Sequence, residues 1–235
     1  MAYYELYMRE PFDSRAYYHV YNRGVDKRVL FSDQWDFRRF CESLYLFNDT
    51  NYKHKGGRVI QRDIPLAGHE LFTFDRDPLV SIVAYCLVPN HFHMLLRQKE
   101  PNGISKFLHR VGMGYAKYFN KRYSREGRLF ESPFKAKPVD LKEHLQLLPR
   151  YIHLNALDGT NIQWRAGQKT DWKKAKVLLN SFVWSSHKAY AGLKSFLPIV
   201  DEEVAKEWFP TKEAYWKYLI TPTNMEEELT FTKMM

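Results

Sequence analysis

Val88-Pro89-Asn90-His91-Phe92-His93-Met94-Leu95-Leu96 is the stretch on which the reading of this chain turns. Side chains alternate between the faces of a β-strand, so His91 and His93 point one way and Phe92 the other. Two imidazoles at that spacing can clip a metal ion, but the same spacing occurs on any half-exposed strand, so the surrounding residues have to decide.

Working outward, residues 79–87 form an apolar run and Val88-Pro89-Asn90 supplies a turn, so the histidines open the returning strand of a hairpin, residues 91–97. Upstream, residues 16–22 read as a first strand ended by the turn-prone Asn22-Arg23-Gly24. Ser32 reads as the N-cap of a helix reaching about residue 48, with Phe37, Phe40, Leu44 and Phe47 as its apolar stripe. Residues 48–77 are rich in Gly, Lys, Asp and Pro and read as a long connection, with short strands expected at 58–60 and 71–74.

Downstream, Ile104, Phe107, Leu108, Val111, Tyr115, Tyr118 and Phe119 keep helical spacing to about residue 123. A short strand at 134–139 leads to a helix that Asp140 could cap. Pro149 lacks an amide donor and clashes with the preceding turn, which leaves either two helical pieces or one kinked helix. The order β-α-(insert)-β-β-α-β-α predicts an antiparallel or mixed sheet with helices on one face, an α+β sandwich. Residues 1–158 form the core of this reading, 159–181 a polar inserted loop, and 182–235 a C-terminal helical extension packed on the same domain. Helical signals lie at 201–208 and 211–218, and the acidic end reads as frayed.

Composition narrows the function. No apolar run approaches 18 residues and the N-terminus lacks the pattern of a secretory signal, so the expectation is a cytoplasmic protein without a membrane partner. Cys41 and Cys86 are isolated, which argues against a disulfide framework or a thiolate zinc site. A formal net charge of +9 favours a polyanionic partner. Much of that charge gathers on and after the long helix, where Lys106, Arg110, Lys117, Lys121, Arg122, Arg125, Arg128, Lys135 and Lys137 face only Glu126 and Glu131. Interleaved with Tyr115, Tyr118, Tyr123 and Phe130, they fit a groove that tracks phosphates and stacks bases, although a solvated helix face would look similar. Arg122 and Arg128 are the first candidates for DNA contact, with Lys117, Lys121 and Arg150 beside them.

A hard divalent ion working on phosphate wants a third, oxygen-bearing ligand and open positions. Arg150-Tyr151-Ile152-His153-Leu154-Asn155 offers one. Tyr151 and Asn155 stand at i and i+4 on one helical face, so an amide oxygen on the metal holds a phenol one turn away. His153 lies about 200° round the helix from Tyr151 and is expected to pack or face solvent. Tyr115 and Tyr118, the rival nucleophiles, sit on an apolar stripe that predicts core packing. A zinc deaminase is excluded, because the chain has no His-x-Glu paired with Pro-Cys-x-x-Cys.

In sequence order, Tyr21-Asn22-Arg23-Gly24, Val88-Pro89-Asn90 with His91-Phe92-His93, Tyr118-Phe119-Asn120, Gly127-Arg128-Leu129-Phe130, Tyr151-Ile152-His153-Leu154-Asn155 and Trp184-Ser185-Ser186 resemble the REP-associated tyrosine transposases, single-tyrosine HUH transposases of the insertion-sequence type. The resemblance spans roughly residues 15–190. It implies a ferredoxin-like core whose central antiparallel sheet carries the histidine pair, with helices packed on it. It also implies metal-dependent cleavage and rejoining of single-stranded DNA, at hairpin-forming repeats, through a 5′-phosphotyrosine.

Carried over by position, Tyr151 is the nucleophile, and His91, His93 and Asn155 hold Mg²⁺ or Mn²⁺. The partners implied are single-stranded DNA and DNA hairpins, and the protein is expected to be a monomer or homodimer, nucleoid-associated and prokaryotic. The alternative is a domesticated, non-cleaving hairpin-binding protein. The sequence departs from the family pattern at Pro149, at Ala156 where proline is usual, and in the enlarged stretch 159–180.

Overall fold

The computed structural model describes residues 11–52, 76–139, 142–165 and 169–222. Its four strands, β1 (Tyr17–Arg23), β2 (Val80–Val88), β3 (His91–Gln98) and β4 (Lys135–Pro138), form one antiparallel sheet in the order β2-β3-β1-β4. Helix α1 (Gln34–Leu46) joins β1 to β2, and α2 (Gly103–Arg122) joins β3 to β4. Chain order βαββαβ with this strand order is the ferredoxin-like arrangement.

α1 and α2 cover one face, packing Phe40, Leu44, Phe107, Val111 and Tyr115 against Val20, Ile82, Phe92 and Met94. For these two the expectation of helices on a single face holds. The other face is covered as well, by α3 (Lys142–Leu154), α4 (Trp172–Ser181), α5 (His187–Tyr190), α6 (Glu202–Trp208) and α7 (Lys212–Ile220). There Ile152, Ala175, Leu179 and Tyr215 meet Val83, Ala84, Cys86 and Leu95. The cause is legible in β2, which is buried along its whole length and therefore needs cover on both sides.

β2 is an edge of the sheet, and its open backbone groups are taken up by the chain around residues 184–186. Leu87 donates to the Trp184 carbonyl, Ser186 donates to that of Tyr85, and Cys86 bridges Ser185. Such cover removes a template for intermolecular pairing.

Two local expectations need correction. The cap of α1 is Asp33 and not Ser32: its carboxylate accepts from the amides of Trp35 and Asp36. Residues 159–180 are more than a loop, because Asp171 caps α4, and Ala175 and Leu179, four apart, bury its apolar side. The exposed apolar residues between them, Val177 and Leu178, mask that periodicity in the sequence. The strands expected at 58–60 and 71–74 and the frayed acidic end lie outside the described residues.

α3 runs through Pro149 as one helix. Proline disturbs the hydrogen-bond ladder of the preceding turn. The amide of the next residue, Arg150, donates instead to the Tyr218 hydroxyl of α7 at 2.8 Å. The Arg150 guanidinium reaches the Leu219 carbonyl at 3.0 Å. The C-terminal helix thus fixes the turn that presents Tyr151.

Candidate active site

β3 sets His91 and His93 on the face opposite Phe92, as strand alternation requires. Phe92 packs against Phe40 of α1 with ring centroids 5.1 Å apart. On the other face the His93 ring lies 5.0 Å from that of His91 and 5.6 Å from the Tyr151 ring. Tyr151 and Asn155 come down on this face from α3 and the 3₁₀ turn that follows it.

Each of the three expected ligands presents one buried polar atom without a partner. The His91 Nδ1 lies 2.7 Å from the Asn90 Oδ1, an acceptor, so the proton is on Nδ1 and Nε2 carries the lone pair. The His93 Nδ1 is 3.0 Å from the Nε2 of His19, leaving its own Nε2 unused. The Asn155 amide nitrogen donates to the Tyr151 carbonyl at 2.6 Å, which assigns the other amide atom as oxygen. The His91 Nε2, the His93 Nε2 and the Asn155 Oδ1 are buried and have no hydrogen-bond partner. Buried polar atoms without partners are costly in a folded protein, and a cation in reach of all three would relieve them. Among the described residues no group of three or more His, Cys, Asp or Glu could hold a metal, so the ligand set depends on the Asn155 amide.

Electrostatics favour a neutral histidine pair. Burial, with Arg23 and Arg165 nearby, brings His91 down to about 4. Burial and the neighbouring histidines hold His93 well below the usual imidazole range. Tyr151 is 2% exposed. Burial pushes its phenol above the ordinary tyrosine value, while hydrogen bonding to Arg165 and Asn155 works in the opposite direction.

Two participants escaped the sequence reading. His19 in β1 stacks on His93 with centroids 5.2 Å apart and stands edge-on to Tyr151 at 6.4 Å. Its alternation with Tyr21 on the strand that pairs with β3 is the signal that could have revealed it. Arg165 comes from the stretch read as an insert, and its guanidinium lies 5.5 Å over the Tyr151 ring. Nothing local in the sequence marks it.

His153 is turned away, as expected. It is buried between the Ser186 hydroxyl at 2.6 Å and the Tyr215 hydroxyl at 2.9 Å. Tyr115 and Tyr118 also hold structural positions: the Tyr115 hydroxyl donates to the Leu30 carbonyl at 2.5 Å, and that of Tyr118 to Asp36 at 3.0 Å.

The expected DNA-contacting cations divide. Lys117, Lys121 and Arg128 are exposed, but α2 packs on the face away from the histidines. Arg150 is 4% exposed and committed to α7, so burial removes it from any open groove. Arg122 pairs with Asp33 at 2.5 Å and Asp36 at 2.7 Å, tying α2 to the start of α1. These two are corrections to the sequence reading. The basic rim beside the histidines is made by Arg23, Lys135 and Arg165. Arg122→Ala should lower stability by about 2 kcal/mol, less than the roughly 3–5 of a fully buried pair, because it strands the buried Asp36 while Arg122 itself is partly exposed. That corresponds to a fall in Tm of about 4–8 °C, against about 2 °C or less for Arg128→Ala, measured by calorimetry.

Residues 71–155 match a family model described as Transposase IS200 like. No curated protein matches the chain. A solved structure described as "Structure of the REP associates tyrosine transposase bound to a REP hairpin" is similar over 81% of this chain and 88% of that one, at 11% identity and a TM-score of 0.46. The segment that resembles the IS200-like transposases, residues 71–155, holds His91, His93, Tyr151 and Asn155.

Proposed function

We propose that the protein is a metal-dependent single-stranded DNA endonuclease and strand transferase, a transposase that cuts and rejoins DNA at hairpin-forming repeats through a 5′-phosphotyrosine on Tyr151. The observation that carries this reading is the set of buried, unpartnered polar atoms on His91, His93 and Asn155, with the Tyr151 ring packed on His93. They fit Mg²⁺ or Mn²⁺, which when bound supplies Lewis acidity to a non-bridging phosphate oxygen. The chain's own residues do the rest. α3 orients the Tyr151 oxygen, His19 holds the His93 ring, and Asn90 fixes the His91 tautomer. Tyr151 attacks phosphorus in line, the bond to the 3′ oxygen breaks, and the conserved phosphodiester energy lets a second 3′-hydroxyl reverse the step.

Because Tyr151 lies against His93 of its own chain, one subunit suffices for the chemistry in this reading, in a monomer or a homodimer. Residues 1–158 then act as the catalytic domain, 159–181 as an insert and 182–235 as a helical extension of it, in a prokaryotic, cytoplasmic, nucleoid-associated protein. Among the described residues no helix is long and apolar enough to cross a membrane.

The test uses a single-stranded oligonucleotide library with a fixed hairpin and randomised flanks. With Mn²⁺ or Mg²⁺ the protein should form an adduct that survives denaturing electrophoresis, and peptide mass spectrometry should locate it on Tyr151. EDTA should abolish it and added Mn²⁺ restore it. Tight hairpin binding without an adduct under either metal overturns the reading in favour of the non-cleaving hairpin binder.

A further inference from the structure

Arg165 belongs to no motif that the sequence reading used, and it is held with unusual care. Its Nη2 donates to both carboxylate oxygens of Asp158, at 3.2 and 3.0 Å. Asp158 is itself fixed, accepting from the Trp164 indole at 2.8 Å, and its own amide donates to the Asn155 carbonyl at 3.0 Å. The guanidinium lies 4.1 Å over the Trp164 ring and 5.5 Å over that of Tyr151. At that position its charge and hydrogen-bonding capacity act to lower the pKa of the Tyr151 phenol, against the effect of burial. About a third of the side chain stays exposed.

This geometry has a consequence for any phosphate that Tyr151 attacks. A donor on the attacking oxygen sits, once that oxygen reaches phosphorus, within hydrogen-bond reach of a non-bridging oxygen, because both oxygens belong to one tetrahedral centre. A guanidinium presents several donors in a fixed fork, so it can hold the phenolic and phosphate oxygens together. An arginine serving only to pin the insert to α3 would need the Asp158 pair but not the phenol.

We propose that Arg165 is a further catalytic residue of this site: held by Asp158, it bridges the Tyr151 oxygen and the scissile phosphate and carries positive charge to the phosphate. The assignment rests on the proposed strand-transfer function. In the step, the Tyr151 Oη–P bond forms as the P–O3′ bond breaks. The phenolic proton passes to water and the departing 3′ oxygen takes one from water, so the charge balance is unchanged. Preorganised donors of this kind are worth about 10²–10³ in rate.

Two readouts test it, and the first does not depend on cleavage. On a Tyr151→Phe background in EDTA, a labelled single-stranded oligonucleotide with a hairpin and an unpaired tail is titrated at several salt concentrations. Losing one phosphate contact should reduce the slope of log K against log salt by about 0.7 in Arg165→Gln, with Arg165→Lys keeping it. A purely structural role would leave the slope unchanged, and that result overturns the proposal. In the Tyr151 protein with Mn²⁺ and an oligonucleotide captured as adduct, Arg165→Gln should slow single-turnover adduct formation about 10²-fold at saturating DNA, with partial recovery in Arg165→Lys. Adduct formation at the wild-type rate in Arg165→Gln also overturns it. An unaltered Tm in Arg165→Gln separates these effects from misfolding. Absence of any adduct in the wild type would remove the strand-transfer reading, while a changed salt slope would still establish the phosphate contact.

Discussion

Tyr151→Phe should reduce adduct formation by at least about 10³-fold while leaving the fold and DNA binding intact. The substitution removes one oxygen, the only atom able to become the phosphotyrosine ester, and loss of a covalent nucleophile typically costs 10⁴ or more in rate. The ring stays in place. It is packed edge-on to His93 at 5.6 Å and tilted against Trp164 at 6.0 Å, contacts that do not involve the hydroxyl. Arg165 keeps its two bonds to Asp158 and Asn155 keeps its bond to the Tyr151 carbonyl. Stability should therefore change by no more than about 1–2 kcal/mol, the range for losing a buried hydrogen bond. Adduct yield by denaturing gel and Tm by calorimetry, on the same preparation, separate the two. Undiminished adduct in Tyr151→Phe moves the nucleophile elsewhere. Tyr115 and Tyr118 are poor substitutes, since both hydroxyls are engaged in the opposite core.

What could be read from the sequence was what depends on local periodicity. Alternation put His91 and His93 on one side of β3 and Phe92 on the other, and the i, i+4 relation put Asn155 beside Tyr151. Contacts made by strand register or by a distant loop left no such trace. His19 meets His93 from 74 residues away because β1 pairs antiparallel with β3. Arg165 meets Tyr151 because the chain after α3 folds back over the site. The cation cluster shows the opposite failure. Clustering suggested that Arg122 was available to DNA, but Asp33 and Asp36, 89 and 86 residues away, already hold it. Composition counts charges without showing which are neutralised. Pro149, a departure from the family pattern, is accommodated by the Tyr218 hydroxyl, a partner that no reading of α3 alone could supply.

Mild acid should destabilise this protein well before its carboxylates titrate. Four histidines, His19, His93, His153 and His187, are 1% exposed or less. Burial holds all four below the ordinary imidazole value, His19 at about 3 and His187 at about 4. Each therefore stays neutral in the folded state where the unfolded chain, titrating near pH 6.5, takes up a proton. With more protons on the unfolded chain, stability is complete above about pH 6.5 and falls as the pH drops toward the folded-state values. At pH 5.0 the loss approaches about 2 kcal/mol each for His19 and His187, about 4 kcal/mol for the two, with His93 and His153 acting in the same direction, against the roughly 5–15 kcal/mol that holds a domain folded. Asp33, whose carboxyl the Arg122 guanidinium holds below the usual value, loses its stabilising effect only at lower pH, so the window from 6.5 to 5 belongs to the histidines. In EDTA, Tm should fall by at least about 8 °C between pH 7.5 and 5.0. His187→Gln removes one of the four titrations, so its Tm should fall less steeply over that range even if it starts lower. A Tm that is level across the window would mean that these imidazoles gain their protons without leaving the fold, which their hydrogen bonds argue against: the Tyr215 hydroxyl has one proton to offer between the Nδ1 atoms of His153 and His187, 2.9 and 2.7 Å away, and protonating both rings would leave one N–H with no acceptor but the same oxygen.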